Sequence, residues 1–150
     1  MRKAEKSRVS SETNIQASWC LDPEPEKVGA KVSTGIGFFD HMLTLLAKHS
    51  GTFLQVVAKG DLEVDCHHTV EDTGIVLGGV LSEAAGDRTG IKRYGSCLMP
   101  MDESLIQVAV DFGGRPFFVY RAELPKVKLG NFDAEMTEEF FRALAFHSGM

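Results

Sequence analysis

Two adjacent histidines lie among carboxylates in residues 65–72, DCHHTVED, and imidazole and carboxylate groups are common ligands of divalent metals. Asp65 is a typical N-cap residue and apolar residues follow it at helical spacing, so a helix is predicted to begin here. On that helix His67 and Glu71 are four residues apart and share a face, where they could bind one ion. His68 is rotated by about 100° and would face a different ligand. The cluster therefore predicts metal binding, with solvated side chains at a helix start as the alternative.

Alternating strand and helix patterns surround this cluster and predict which segments position it. Helices are predicted at 38–49, from Asp65 to near Gly86, and at 136–147; strands are predicted at 8–21, 28–33, 53–59, 62–64, 104–112 and 115–124. Turn residues after 8–21, 53–59 and 104–112 predict that each of these strands pairs with the next one in the chain. Gly74, Gly78 and Gly79 lower helix propensity, so close packing or a partner helix must compensate for them.

The chain also contains an internal repeat. The motif E-x-x-I-Q opens a strand at 12–16 and again at 103–107, and H-S-G ends a helix at 49–51 and at 147–149. A hairpin followed by a helix therefore occurs twice in the same order, which indicates a duplicated unit. We divide the chain into a first repeat unit at 1–88, which contains the HH-x-x-E helix, and a second unit at 89–150.

The second unit is shorter than the first. His67 follows His49 by 18 residues, whereas the chain stops three residues after His147. We expect that the second copy lacks its last strands and an equivalent HH-x-x-E helix, roughly 40 residues by the logic of the repeat. The alternative is a second unit that is naturally shorter.

Composition and charge argue against several classes of protein. Hydrophobic residues make up 43% of the chain and charged residues 25%, as in soluble globular proteins. The formal charge of −5 and the lack of a basic run argue against nucleic-acid binding, and no segment has the apolar length of a membrane span. Cys20, Cys66 and Cys97 are widely spaced, which favours a reducing cytoplasm over a disulfide framework. Cys66 could supply a thiolate ligand, but a buried structural thiol is favoured.

Several long motifs, in order, resemble the imidazoleglycerol-phosphate dehydratase family of histidine biosynthesis. They are RVSSETNIQ at 8–16, STGIGFFDHML at 33–43, GDLEVDCHHTVEDTG at 60–74, DRTGIKRYG at 87–95, MDESLIQVAVDFGGRP at 101–116 and EEFFRALAFHSGM at 138–150. The resemblance implies a duplicated α+β fold with two sheets and packed helices, assembled as a homo-oligomer of 24 subunits with active sites between subunits. It also implies two manganese ions per site and a lyase reaction, the dehydration of imidazole-glycerol phosphate to imidazole-acetol phosphate. The activity of the 150-residue chain itself is left open.

The same motifs imply roles for individual residues. The implied metal ligands are His41 in DHML and the HH-x-x-E residues His67, His68 and Glu71, and the three histidines would also contact substrate. Glu12 in ETN matches a carboxylate that contacts substrate and is a candidate acid/base, so Glu12, His67 and Glu71 are the candidate catalytic residues. Arg93 and Arg115 match arginines that bind substrate through its phosphate. Glu139 stands where the family often has a histidine ligand, and a carboxylate can also bind manganese.

The implied chemistry is demanding because the proton to be removed lies on a carbon with no carbonyl beside it. Two metals flanking the imidazole ring would stabilise it as imidazolate, and Glu12 would carry the proton if its site shifted its pKa toward neutrality. The ligand types suit manganese, iron or zinc about equally, so the choice of manganese rests on the resemblance. Two alternatives stay open: a single-metal hydrolase that uses His67 and Glu71, and a non-catalytic fragment that retains part of the metal site.

Overall fold

A computed structural model describes residues 1–150, the whole of the chain, and contains eight strands and three α-helices. The strands are β1 (Lys3–Val9), β2 (Thr13–Cys20), β3 (Gly29–Ser33), β4 (Phe53–Gly60), β5 (Tyr94–Met101), β6 (Ser104–Asp111), β7 (Lys128–Leu129) and β8 (Phe132–Asp133). The helices are α1 (Gly37–Ser50), α2 (His67–Ala85) and α3 (Met136–Ser148), and a single 3₁₀ turn lies at Pro25–Lys27. None of the helices is both long and apolar enough to cross a membrane.

The first four strands form one sheet in the order β1-β2-β4-β3. β2 pairs antiparallel with both β1 and β4, whereas β3 pairs parallel with β4, and α1 makes the crossover between those two strands. One face of the sheet is apolar because alternate residues of each strand point to the same side. Ile15, opposite Ala58, is fully buried on that face. Helices α1 and α2 cover this face, so the core lies between the sheet and these two helices.

Helix α3 packs along α2, and two glycines of α2 make the close approach possible. A Cβ atom at Gly74 would lie 2.7 Å from the carbonyl oxygen of Phe140, and one at Gly78 would lie 2.7 Å from that of Leu144. Gly79, on another face of α2, meets only the side chain of Lys6. The prediction that close packing compensates for these glycines is therefore confirmed at Gly74 and Gly78.

The β5–β6 hairpin leaves apolar side chains exposed. Leu98, Met99, Leu105 and Ile106 are each between 58% and 64% exposed, and the two strands pack extensively only on each other. By the strand register, Leu98 and Leu105 lie on one face of the hairpin and Met99 and Ile106 on the other, so apolar side chains are exposed on both faces. The hairpin therefore differs from the first sheet, whose apolar face is buried by helices of the same chain.

The α+β fold class predicted from the sequence is confirmed, and all three helices were predicted close to their observed bounds. The predicted pairing of the early strands is wrong. The segment at 28–33 does not return along 8–21 as a hairpin, because β3 joins the sheet beside β4 in the parallel direction. The single strand predicted at 8–21 is also wrong, because residues 10–12 form a turn and Arg8 and Val9 belong to β1, which pairs with β2. Most of β1 gives no strand signal in the sequence, since KAEKSRV is mostly charged and exposed.

Two other predicted strands are also absent. Residues 62–64 form a turn, and residues 115–124 are irregular. The partner of β6 is β5, joined by the tight turn at Asp102 and Glu103, where Asp102 has a left-handed φ of 48°. The hairpin turn predicted after 104–112, at Gly113 and Gly114, is therefore wrong, although a glycine pair is the stronger turn signal in the sequence.

The duplication and the division at residue 88 remain predictions. The element order is compatible with them, since the β1–β2 and β5–β6 hairpins each precede a helix that ends in His-Ser-Gly. Gly51 after α1 and Gly149 after α3 both have left-handed backbones, with φ of 68° and 79°. A left-handed residue, usually glycine, is a common way to end a helix.

Candidate active site

The start of α2 is held by residues next to the N-cap position, because the N-cap residue itself forms no capping hydrogen bond through its side chain. The helix begins at His67 with Cys66 as its N-cap residue, so the predicted cap at Asp65 is one residue early. Asp65 still assists the helix, because its Oδ1 accepts a hydrogen bond of 2.7 Å from the backbone N–H of His67. Cys66 is 3% exposed, and its sulfur accepts a hydrogen bond from the N–H of Asp133. Burial raises the pKa of the Cys66 thiol, which favours the structural role over that of a thiolate ligand.

His67 and Glu71 lie side by side on one face of α2, as their spacing predicts. Nε2 of His67 is 3.4 Å from Oε2 of Glu71, and the two side chains are 44% and 43% exposed. Two such atoms can bind one ion together, since each ligand atom lies about 2.1 Å from a bound metal. The pair is therefore a suitable half-site for a divalent cation.

His68 points elsewhere, toward the turn that follows β4. Its Nδ1 lies 2.9 Å from Oδ2 of Asp61, and the rings of His67 and His68 are 6.1 Å apart between centroids. The hydrogen bond that Asp61 accepts from His68 raises the pKa of His68, and the charges of Asp61 and Glu12 act in the same direction. The two adjacent histidines therefore engage different carboxylates.

Glu12 lies in the short turn between β1 and β2. Its carboxylate accepts a hydrogen bond of 2.7 Å from the Ser11 hydroxyl, and its backbone N–H donates to the Ser10 hydroxyl. The Ser11 hydrogen bond holds the pKa of Glu12 below its usual value, with smaller contributions from Ser10 and from the charge of His68. In this single chain the pKa of Glu12 is therefore shifted away from neutrality, because the hydrogen bonds that it accepts outweigh the effect of lost water.

A shallow cleft joins the turn of Glu12 to the end of β4. It has a volume of about 360 Å³ and is lined by residues 9–14 and by Lys59, Gly60, Asp61 and Glu63. The backbone N–H of Asp61 donates to the carbonyl of Glu12 at 3.1 Å, while the Asp61 side chain meets His68. The fold therefore brings Glu12, Asp61 and His68 together.

Asp72 connects the same turn to α2 from inside the protein. Asp72 is only 8% exposed. Its carboxylate accepts a hydrogen bond of 2.6 Å from the Thr13 hydroxyl and forms an ion pair with Arg8, whose Nε lies 2.9 Å away. Thr13 directly follows Glu12, and Asp72 directly follows Glu71. This buried link therefore fixes the strand that carries Glu12 against the helix that carries the histidines.

The other implied ligands lie apart from these residues. His41 is an exposed residue of α1, and Glu139 lies in α3 with its carboxylate 3.8 Å from Nε of Arg142. Within residues 1–150, no three or more His, Cys, Asp or Glu side chains are grouped so that they could hold a metal ion. One copy of the chain therefore presents His67 and Glu71 as a pair and does not complete a metal site with His41 or Glu139.

The two candidate phosphate ligands lie beside the β5–β6 hairpin. Arg93 donates from Nε and Nη2 to Asp111 at 2.6 and 2.9 Å, and its guanidinium lies 4.9 Å from the centre of the Tyr94 ring. The hydrogen bonds from Arg93 lower the pKa of Asp111, and the charge of Arg115 acts in the same direction. Neither arginine forms a hydrogen bond or ion pair with Glu12 or with the HH-x-x-E residues.

Comparison with known proteins decides the family. The model of the family described as imidazoleglycerol-phosphate dehydratase matches residues 34–150. The chain belongs to this family. Relatives called imidazoleglycerol-phosphate dehydratase include those of Limosilactobacillus fermentum, 55% identical, and Listeria welshimeri, 56% identical; each match covers the whole chain and 76% of the relative.

Solved structures of imidazoleglycerol-phosphate dehydratases share the fold. The structure from Staphylococcus aureus matches with a TM-score of 0.83 at 41% identity, covering 97% of this chain and 78% of that one. The structure from Pyrococcus furiosus matches with a TM-score of 0.75 at 30% identity, covering 93% and 72%. The family consists of hydro-lyases of histidine biosynthesis, and none of these relatives is called a hydrolase, so the single-metal hydrolase has no support.

Asp61 and Asp72 are functional residues of the site that the sequence pattern did not indicate. Both lie within the motif at 60–74, where Asp61 has the position of a turn residue and Asp72 that of an ordinary helical residue. The partner of Asp61 is His68, seven residues later across an irregular turn, and the partner of Asp72 is Thr13, 59 residues earlier in the chain. The available signal was an acid on the buried face of an amphipathic helix, since a buried carboxylate requires a partner.

Proposed function

We propose that this chain dehydrates imidazole-glycerol phosphate to imidazole-acetol phosphate with a dinuclear metal site built partly from His67, His68 and Glu71. The observation that carries the proposal is the divergence of the two imidazoles, one beside Glu71 and the other held by Asp61. Adjacent histidines with different partners suit two ions better than one. Family membership supports the reaction, and the divergence supports the two-metal form of the site.

The ligand types fit manganese. Imidazole and carboxylate groups bind divalent first-row metals, and the separation of His67 from Glu71 allows both to contact one ion. When bound, two such ions would supply positive charge beside the imidazole ring of the substrate. His68 would offer its Nε2 to the second ion, because its Nδ1 is engaged by Asp61.

Further ligands are proposed to come from a second copy of the chain. No complete ligand group is found within residues 1–150, and His41 is exposed on α1. The exposed apolar residues of the β5–β6 hairpin support a homo-oligomer, for which we propose 24 subunits with active sites between them. Glu139 is proposed as one such ligand. The three free cysteines are compatible with a cytoplasmic location.

Glu12 is proposed to carry the proton. Because its pKa is lowered, Glu12 is ionised at neutral pH and can first act as a base. It shares a cleft with Asp61, and His68 lies close enough for its charge to act on Glu12. Binding of substrate would remove water from the carboxylate and raise its pKa, which would make Glu12 a stronger base for the first proton transfer.

Arg93 and Arg115 are proposed to bind the substrate phosphate. Both flank Asp111, and the guanidinium of Arg93 already uses two N–H groups on that carboxylate. Arg93 therefore binds phosphate either with its remaining N–H groups or by exchanging Asp111 for the more highly charged ligand.

Metal dependence is tested by removing bound metal from the purified protein and following the loss of water from the substrate by mass spectrometry. We expect no turnover until Mn²⁺ is restored. His67→Ala should lose more activity than the roughly 10- to 100-fold that is typical when a residue supporting a metal ligand is replaced. His49→Ala is the matched control, because His49 is an exposed histidine of α1 with no proposed ligand role. Full turnover after chelation would refute the proposal.

Sharing of sites between copies has its own test. His41→Ala and His67→Ala proteins are each assayed alone, then dissociated, mixed and reassembled. If the two residues serve one site from different copies, the mixture regains activity because some sites receive both native histidines. If the mixture stays as inactive as its components, the ligands come from one copy and the shared site is wrong.

A further inference from the structure

Asp61 holds His68 in one orientation. Its carboxylate is 19% exposed, much less than the 46% of His68, and its Oδ2 lies 2.9 Å from Nδ1 of the ring. The second oxygen of the carboxylate, Oδ1, is buried without a hydrogen-bond partner. A carboxylate placed in this way can only accept a hydrogen bond, so the proton of the neutral His68 ring must lie on Nδ1.

We propose that Asp61 is a positioning residue for the dehydration, which fixes His68 in the Nδ1–H tautomer and directs its Nε2 toward the reaction site. The inference rests on the proposed function, in which His68 is a metal ligand. Histidine ligands commonly donate their second ring N–H to a carboxylate, which sets the tautomer and the ring orientation. Asp61 would do this for His68, whereas His67 has no such partner on its Nδ1.

The position of Asp61 is itself fixed by its neighbours. A Cβ atom on Gly60 would lie 2.0 Å from the hydroxyl oxygen of Thr69, so β4 and the first turn of α2 approach each other where only glycine fits. Thr69 directly follows His68 and is fully buried. The contact between Gly60 and Thr69 therefore sets the distance from Asp61 to His68 through the backbone.

Asp61 also joins His68 to the proposed proton carrier. Its N–H donates to the carbonyl of Glu12 at 3.1 Å. The same residue thus holds the β1–β2 turn with its backbone and the imidazole with its side chain. An ordinary surface ion pair would contribute little and would impose no tautomer. These two roles are distinguishable by experiment.

The test compares Asp61→Ala and Asp61→Asn with Glu63→Ala in the metal-free protein. Glu63 lines the same cleft and is acidic, but its side chain forms no hydrogen bond or ion pair. The ¹⁵N chemical shifts of the His68 ring report its tautomer at a pH where the ring is neutral. We expect the Nδ1–H form in the parent chain, in Asp61→Asn, whose amide oxygen still accepts, and in Glu63→Ala. Asp61→Ala should show mainly the Nε2–H form that the side chain of free histidine prefers.

Mn²⁺ affinity, measured by competition with a chelating dye, is the second readout. Asp61→Ala should bind Mn²⁺ about 10- to 100-fold more weakly than the parent chain. Asp61→Asn should lose less affinity, and Glu63→Ala should bind Mn²⁺ as tightly as the parent chain. An unchanged tautomer in Asp61→Ala, or an equal loss in Glu63→Ala, would overturn the proposal. The proposal would also be overturned if Asp61→Ala bound Mn²⁺ with normal affinity while His68→Ala bound it weakly. Normal affinity in His68→Ala would instead show that His68 is not a ligand, and would refute the proposed function as well.

Discussion

Replacing Gly78 with alanine tests the contact that places α3 on α2. The added methyl group would lie 2.7 Å from the carbonyl oxygen of Leu144 and 3.0 Å from the amide nitrogen of Ser148. Both are backbone atoms of α3, so rotation of a side chain cannot relieve the overlap. The helices must separate by about 0.7 Å to reach the ordinary contact distance of 3.4 Å.

The expected magnitude follows from two opposing terms. Alanine is favoured over glycine within a helix by about 1 kcal/mol, while overpacking of a close contact costs about 1–3 kcal/mol. Gly79→Ala is the matched control, because its methyl group would meet only the flexible end of Lys6, at 3.1 Å. The helix-propensity term is shared by both substitutions and cancels in their difference.

Urea unfolding followed by circular dichroism provides the measurement. We expect Gly79→Ala to be as stable as the parent chain or more stable, and Gly78→Ala to be about 1–3 kcal/mol less stable than Gly79→Ala. Gly74→Ala should behave like Gly78→Ala, since its methyl group would also approach a backbone carbonyl of α3 at 2.7 Å. If Gly78→Ala were as stable as Gly79→Ala, the close packing of α2 on α3 described above would be wrong.

Three further predictions concern the site. Asp72→Asn should lower the free energy of unfolding by about 1.5–3 kcal/mol, the value of hydrogen bonds to a charged group, and an unchanged urea midpoint would contradict the buried link. In the metal-free protein the pKa of His68 should lie above its ordinary value of 6.5, because the ring donates to Asp61. The pairing then stabilises the folded state fully below pH 6.5, and this stabilisation is lost as the pH rises through the folded-state pKa. Asp61→Ala should return the NMR titration midpoint toward 6.5, and a midpoint that stayed high would exclude Asp61 as the cause. In the dissociated chain, iodoacetamide should label exposed Cys97 quickly and buried Cys66 slowly, as peptide mass spectrometry would show, whereas equal rates would contradict the burial of Cys66.

The helices and the ligand pair could be predicted from the sequence because their determinants are local. The spacing of His67 and Glu71 depends only on helical geometry, and glycine at positions 51 and 149 ends two helices in a way that the sequence itself displays. Local signals of this kind need no knowledge of the rest of the fold.

Strand pairing and the supporting carboxylates could not be predicted because they depend on distant contacts. β1 has few apolar residues and is a strand only because β2 accepts it at the edge of the sheet. β3 joins β4 through a parallel crossover, which leaves no turn signal between the two strands. Asp61 meets His68 only after the turn between β4 and α2 has folded, so its role cannot be seen in the spacing.

The central claim is that His67 and His68 serve two different ions. The most direct measurement is the number of Mn²⁺ ions retained per chain after gel filtration, determined by elemental analysis for the assembled parent protein and for the His67→Ala and His68→Ala variants. The account predicts two ions per chain in the parent protein and the loss of a different single ion in each variant, so that the double variant retains none. Loss of one and the same ion in both variants, or full retention in either, would contradict it.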